Sequence, residues 1–265
     1  MNTKTKKRLG IVSIVLVLLL ASGATIGTTL AKYISSATVP SQTATVAKWG
    51  FVLNAGTESL FWTDYDTTGA IKTTDGNGVI SSSSTDKIVA PCAKGSATLL
   101  TIDGTAEVNA KLQISVTEFA TILLSDGEND NYYPIVWKLN GTPIGTDGKN
   151  ITADDIATSI KTVLTPAFGA NNISVSGGVV TVNIPAKTTL TSSVSLTFSW
   201  EWAFGSEGFT VSGNDAKDTI LGQLKAGTAS TADKAKYEED SVLTTTITIQ
   251  AVVAQTMDDF TPSQP

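Results

Sequence analysis

From Val194 to Phe204 the chain alternates without a break. Val194, Leu196, Phe198, Trp200, Trp202 and Phe204 stand in one phase, with Ser195, Thr197, Ser199, Glu201 and Ala203 between them. A period of two sends successive side chains to opposite sides of an extended backbone, so this segment predicts a strand with one buried and one wet face. As a helix it would scatter its six large residues around the whole circumference. The pattern recurs at Val108, Ala110, Leu112, Ile114 and Val116, and at Tyr133, Ile135, Trp137 and Leu139. It returns at Leu243, Thr245, Ile247, Ile249, Ala251 and Val253. Further strands are expected at residues 46–53, 59–62, 87–90, 97–102 and 173–184. Gly177-Gly178 turns the last of these into a hairpin, and Asp103-Gly104 marks another turn.

Two stretches carry helical signals instead. Thr152 and Asp155 form a capping-box pattern; Ile156, Ile160, Val163 and Leu164 then share a helical face, and Pro166 is expected to end the run. The second helix should begin near Asp215, carry Ile220, Leu221 and Leu224, and stop at Gly227. Their apolar stripes suit covering the end of the strand layers. Many antiparallel strands with few helices predict an all-β fold, a jelly-roll-like antiparallel β-sandwich with two short helical insertions. It should occupy residues 44–256 as one domain, with 81–85 as a loop and 257–265 as a polar, frayed tail.

The N-terminus follows a different logic. Lys4, Lys6, Lys7 and Arg8 precede an apolar run over residues 11–21, and small residues follow as far as Ala31. This is the order of an export signal, and the apolar run is short for a membrane span. Residues 1–31 are therefore expected to be removed by a cut near Ala31 and Lys32, with earlier cuts at Gly23, Ala24 or Gly27 as alternatives, giving a secreted chain with no stable membrane span after processing. Of 18 basic residues four lie in this leader, which leaves 14 against 24 acidic ones, a net charge of −10 after cleavage.

Absences exclude chemistry. The chain has no His, its only Arg is Arg8, and its only Cys is Cys92. A Ser-His-Asp triad, a Cys-His pair and a His-ligated zinc are all ruled out. No arginine remains after cleavage to clamp phosphate or guanine, and the acidic balance repels nucleic acid, so no nucleic-acid partner is expected. One cysteine cannot form an internal disulfide, and the core must supply the stability. Cys92 beside Pro91 reads as a small turn residue, with an intermolecular thiol as the alternative.

Four segments together resemble the camelysin/TasA family of Gram-positive bacteria. They are Thr29-Leu30-Ala31-Lys32-Tyr33-Ile34-Ser35-Ser36, Ala44-Thr45-Val46-Ala47-Lys48-Trp49-Gly50, Ala90-Pro91-Cys92-Ala93-Lys94-Gly95-Ser96-Ala97 and Ile102-Asp103-Gly104-Thr105-Ala106-Glu107-Val108. The resemblance is good in the N-terminal part and loose beyond it. It implies a jelly-roll domain, processing by a dedicated signal peptidase, and self-association into filaments of an extracellular biofilm matrix. Other matrix proteins or polysaccharide are further expected partners. The resemblance also implies that residues 32–43 act as a donor strand for the next subunit, with Tyr33, Ile34 and Val39 as its apolar contacts. Strand composition suits this, while Pro40 removes one N–H. A disordered N-terminal segment is the alternative. The family's camelysin members imply metallopeptidase activity. With no His and no H-E-x-x-H helix this ranks last, and no cofactor is expected.

The remaining candidates are weaker. Asp126-Gly127-Glu128-Asn129-Asp130-Asn131 offers oxygens for calcium but lacks the full loop spacing, and it reads as a solvated acidic turn. Asp64-Tyr65-Asp66 and Asp258-Asp259 carry less signal. Exposed aromatics would suit a secreted carbohydrate-binding module, the rival to a structural role. Trp137, Trp200 and Trp202 fall in the apolar phase of their strands, which leaves Trp62 and Tyr65 in play. No spacing singles out a glycosidase carboxylate pair. The sequons at Asn140, Asn150 and Asn172 matter only in a glycosylating host.

Overall fold

The chain divides into two units, residues 1–48 and 49–265. A computed structural model describes residues 50–65, 78–83, 85–146, 149–202 and 214–256, all in the second unit. The expected leader with its cleavage residues Ala31 and Lys32, the expected donor residues Tyr33, Ile34 and Val39, and Trp49, Asp66, Ala203, Phe204, Asp258, Asp259 and residues 257–265 lie outside the described residues.

In chain order the strands are β1 Val52–Ala55, β2 Asp64–Tyr65, β3 Val79–Ile80, β4 Lys94–Asp103, β5 Thr105–Ala106, β6 Ala110–Ala120, β7 Ile135–Leu139 and β8 Thr142–Pro143. After helix α1, Ala153–Phe168, come β9 Ile173–Ser176, β10 Val179–Ile184, β11 Thr188–Thr189 and β12 Val194–Trp202. Helices α2, Asp215–Ala226, and α3, Thr231–Tyr237, precede β13, Thr246–Gln255. The fold is all-β, with every strand pair antiparallel. A five-stranded sheet runs β1-β4-β12-β7-β8 and a four-stranded sheet runs β13-β6-β10-β9. Neither sheet closes on itself.

β12 behaves as its alternation requires. Leu196, Phe198, Trp200 and Trp202 are buried, while Ser195, Thr197, Ser199 and Glu201 are only partly covered. Its outer face is tied to both neighbours: Thr197 Oγ1 lies 2.8 Å from Thr98 Oγ1 on β4, and Glu201 pairs with Lys138 of β7 at 2.9 Å. On the inner face Trp200 stands opposite Trp137 across the β12–β7 ladder. Leu112 and Ile114 of β6 and Val180 and Val182 of β10 join the same buried cluster from the other sheet.

The hairpin at Gly177-Gly178 forms as expected. Both glycines have positive φ, 57° and 73°, and Ser176 pairs with Val179 across them. Gly104 ends β4 with φ 127°, and a Cβ there would sit 2.0 Å from the Gly50 carbonyl oxygen. α1 begins with the expected capping box: Thr152 caps the Asp155 N–H and the Asp155 carboxylate accepts from the Thr152 N–H at 2.8 Å. Its stripe Ile156, Ile160 and Leu164 is fully buried, against β6, β9 and β10 of one sheet and β12 of the other.

Several expectations are corrected. Residues 59–62 and 87–90 are not strands and meet at a single bridge, Trp62 to Ile88. Side chains take the backbone groups a ladder would use. Trp200 Nε1 donates to the Leu60 carbonyl at 2.9 Å, and the Tyr65 hydroxyl accepts from the Trp62 N–H and donates to the Ile88 carbonyl, both at 3.0 Å. Pro166 does not end α1, which continues to Phe168 and stops at Gly169. So close to the C-terminus the missing N–H removes only one bond. The helices number three among the described residues rather than two, because Ser230 caps α3 through the Asp233 N–H. None of them is long and apolar enough to cross a membrane.

Candidate functional site

Two surface features stand out, one at the sheet edges and one beneath α2. β1 and β13 are the terminal strands of their respective sheets. Between them lies an apolar groove of about 360 Å³, lined by Leu53, Leu99 and Leu100 from one sheet and Ile247, Ile249 and Ala251 from the other. The β13 apolar phase is thus only half-buried, unlike that of β12. Val52 on β1 is 50% exposed and Val252 on β13 is 54% exposed, among the few large apolar side chains so open to solvent. Neither strand contains a charged residue or a proline. Edge strands are normally blunted by such residues because their free N–H and C=O groups otherwise recruit another strand. β13 has one such device, a register irregularity between Thr248 and Ile249, but from Ile249 to Gln255 its pairing with β6 is regular.

The second feature is a cavity of about 530 Å³ under α2, walled by Phe61, Ile88, Ile122, Trp202, Leu221 and Leu243. Asp218 lines it and is only 6% exposed. Its Oδ1 accepts from the Tyr132 hydroxyl and the Trp202 indole N–H, both at 2.9 Å. Its Oδ2 is buried with no partner among the described residues. Burial pushes the Asp218 carboxyl above its ordinary range, against the opposing pull of those two donors. The Tyr132 hydroxyl is raised too, first by burial and then by the adjacent Asp218 charge.

Beside this cavity the acidic loop 126–131 does not gather ligands for a cation. Asp126 Oδ1 accepts the N–H groups of Glu128, Asn129 and Asp130 at 3.1, 3.1 and 2.9 Å. Asp130 takes Lys217 on Oδ1, and Lys236 Nζ at 3.0 Å and the Tyr237 hydroxyl at 2.7 Å on Oδ2. These donors, Lys217 foremost, hold the Asp130 carboxyl well below its usual range. The loop is a clamp on α2 and α3, and its Asp126 and Asp130 carboxylates are engaged by protein groups. Among the described residues no three His, Cys, Asp or Glu side chains converge to hold a metal.

The aromatics kept in play do not form a platform. Tyr65 is fully buried, edge-on to Trp200 at 5.9 Å, and Trp62 is half-covered with its indole nitrogen buried. Cys92 occupies a turn with φ 69°, its N–H donating to the Trp202 carbonyl at 3.0 Å. Burial first, then Asp215 and Asp218, push its thiol up. The expected cleavage and donor residues are not among those described. Sequence reasoning missed Asp218, although a signal was there: it lies three residues before Leu221 and six before Leu224, a carboxylate on the apolar stripe of α2. Comparison with protein-family models, with curated proteins and with solved structures finds no match.

Proposed function

We propose that this chain is a secreted, non-enzymatic structural protein of the bacterial surface or biofilm matrix that assembles into fibres by strand addition. The carrying observation is β13, a ten-residue terminal strand with no charge and no proline, facing an apolar groove shared with β1. Residues 32–43 of a neighbouring subunit are the proposed occupant. Tyr33, Ile34 and Val39 would enter the groove while the backbone adds to a free edge. Each added backbone hydrogen bond contributes roughly 0.5–1.5 kcal/mol net. A head-to-tail contact of this kind does not close on itself and yields a filament. The leader supports the reading, since an uncut chain holds the donor segment attached to residues 1–31.

A jelly-roll arrangement is part of the proposal. It is supported by strands that alternate between sheets along the chain: β4, β7 and β12 belong to one sheet, and β6, β10 and β13, interleaved with them, to the other. The test compares chains beginning at Lys32 and at Ala44 by light scattering and electron microscopy. The longer chain is expected to form filaments and the shorter to remain monomeric. Val252→Lys, a charge at an exposed edge position, is expected to block filaments while the domain stays folded. Monomers from every chain at high concentration would overturn the proposal.

A further inference from the structure

The four-stranded sheet has a second face, turned to solvent, that strand addition at an edge leaves uncovered. Its side chains line up across the strands. One row runs Val252 on β13, Gln113 on β6, Thr181 on β10 and Ser174 on β9. The next runs Gln250, Ser115, Val179 and Ser176. Val252, Gln250, Gln113, Ser174 and Ser176 are exposed. Only two residues of these four strands are charged, Lys111 near the start of β6 and Glu118 near its end. Both belong to this face. Lys111 stands opposite the exposed Ala254, and Glu118 stands opposite the exposed Thr248, whose hydroxyl lies 3.5 Å from Glu118 Oε2. At about 3.4 Å of rise per residue, the two charges are roughly 20–24 Å apart. The chain as a whole is acidic, with 24 Asp and Glu against 18 Lys and Arg, so two copies repel over much of their surface. This face carries one charge of each sign and adds nothing to that repulsion.

We propose that two copies of the chain pack through this face with their β6 strands antiparallel, Lys111 of each copy against Glu118 of the other. The same patch meets itself, so the contact is isologous and both ion pairs form together. Parallel stacking would instead set lysine over lysine and glutamate over glutamate. Between the two charged ends, Val252 and Val179 supply apolar contact, and Gln113 and Gln250 offer donors and acceptors to the facing sheet. The patch is roughly 19 Å across and up to about 25 Å along the strands, on the order of 400 Å² per copy, against about 800 Å² per partner in a stable complex. One such contact is too small to hold two free subunits together. Repeated along a filament, the same contact sums over many subunits and draws filaments side by side. The contact itself is independent of fibre assembly; its multiplication into bundles rests on that reading.

The test uses the chain that begins at Lys32. A thiol is placed on the face as Gln113→Cys in a Cys92→Ser background, and a short bis-maleimide is added at a concentration where light scattering shows single subunits. Covalent dimers are expected. Lys111→Glu should lower their yield at least fivefold, since each ion pair becomes a pair of like charges. Adding Glu118→Lys to that variant should restore the yield. At filament-forming concentration, electron microscopy should show filaments lying side by side for the parent chain and single filaments for Lys111→Glu. The double variant should bundle again. A dimer yield unchanged by Lys111→Glu, or not restored by the charge exchange, would overturn the assignment. So would filaments that associate only once a polysaccharide is added, which would give the face to a glycan. Charge-dependent dimers without any filaments would sink the fibre reading and leave this contact standing.

Discussion

Phe198 and Thr197 are neighbours on β12 with opposite surroundings, the first fully buried and the second on the outer face bonded to Thr98. Phe198→Ala is expected to cost about 3–5 kcal/mol in urea denaturation, the transfer and cavity cost of a large core aromatic. Thr197→Ala should cost only about 1 kcal/mol, the worth of one partly covered hydrogen bond. Equal losses would mean the two faces are misassigned. Asp130 offers a pH test. Its folded-state carboxyl lies below the ordinary value of 3.8, held there first by Lys217. Its contribution is therefore present at neutral pH and is lost as the pH falls below that value. Asp130→Asn should lower the urea midpoint at pH 7, and the gap to the parent protein should narrow at pH 3. Single residues in the apolar phase were legible because alternation alone decides their side. Asp130 and Asp218 were not, because their roles depend on Lys217, Lys236, Tyr132 and Trp202, far away along the chain.

Elements were legible where local chemistry and tertiary packing agree. The box at Thr152 and Asp155 announces α1, and the structure uses both halves of it. Thr152→Ala should cost about 1 kcal/mol in thermal or chemical unfolding, with Thr152→Ser close to neutral. A loss no greater than at an exposed mid-helix threonine such as Thr162 would show that the cap contributes nothing. The hairpin at Gly177-Gly178 was equally readable from its residues. Segments 59–62 and 87–90 have strand composition, yet Trp200 and Tyr65 occupy their backbone groups, a tertiary outcome invisible to periodicity. α3 was overlooked although Ser230 and Asp233 carry the same spacing as Thr152 and Asp155, because its seven residues show no apolar stripe.

At the scale of the molecule, the leader carries its own prediction. Protein recovered from the medium of an expressing bacterium should begin at or close to Lys32 on N-terminal sequencing, as the small residues before that point require. An intact Met1 there would sink the export reading. The all-β class and antiparallel sheets were legible from the alternation. The pairing partners were not, since period two says which face is buried and nothing about which strand lies alongside. Those partners have a consequence in time. β6 finds β13 more than a hundred residues later in the chain, and β4 finds β12 after a similar wait. Ladders of such sequence separation form slowly, because loop closure must precede any gain from pairing. Until β13 is made, β6 has only β10 beside it and the four-stranded sheet lacks one of its edges. Completion of that sheet therefore waits on β13, whatever the order in which the other strands assemble.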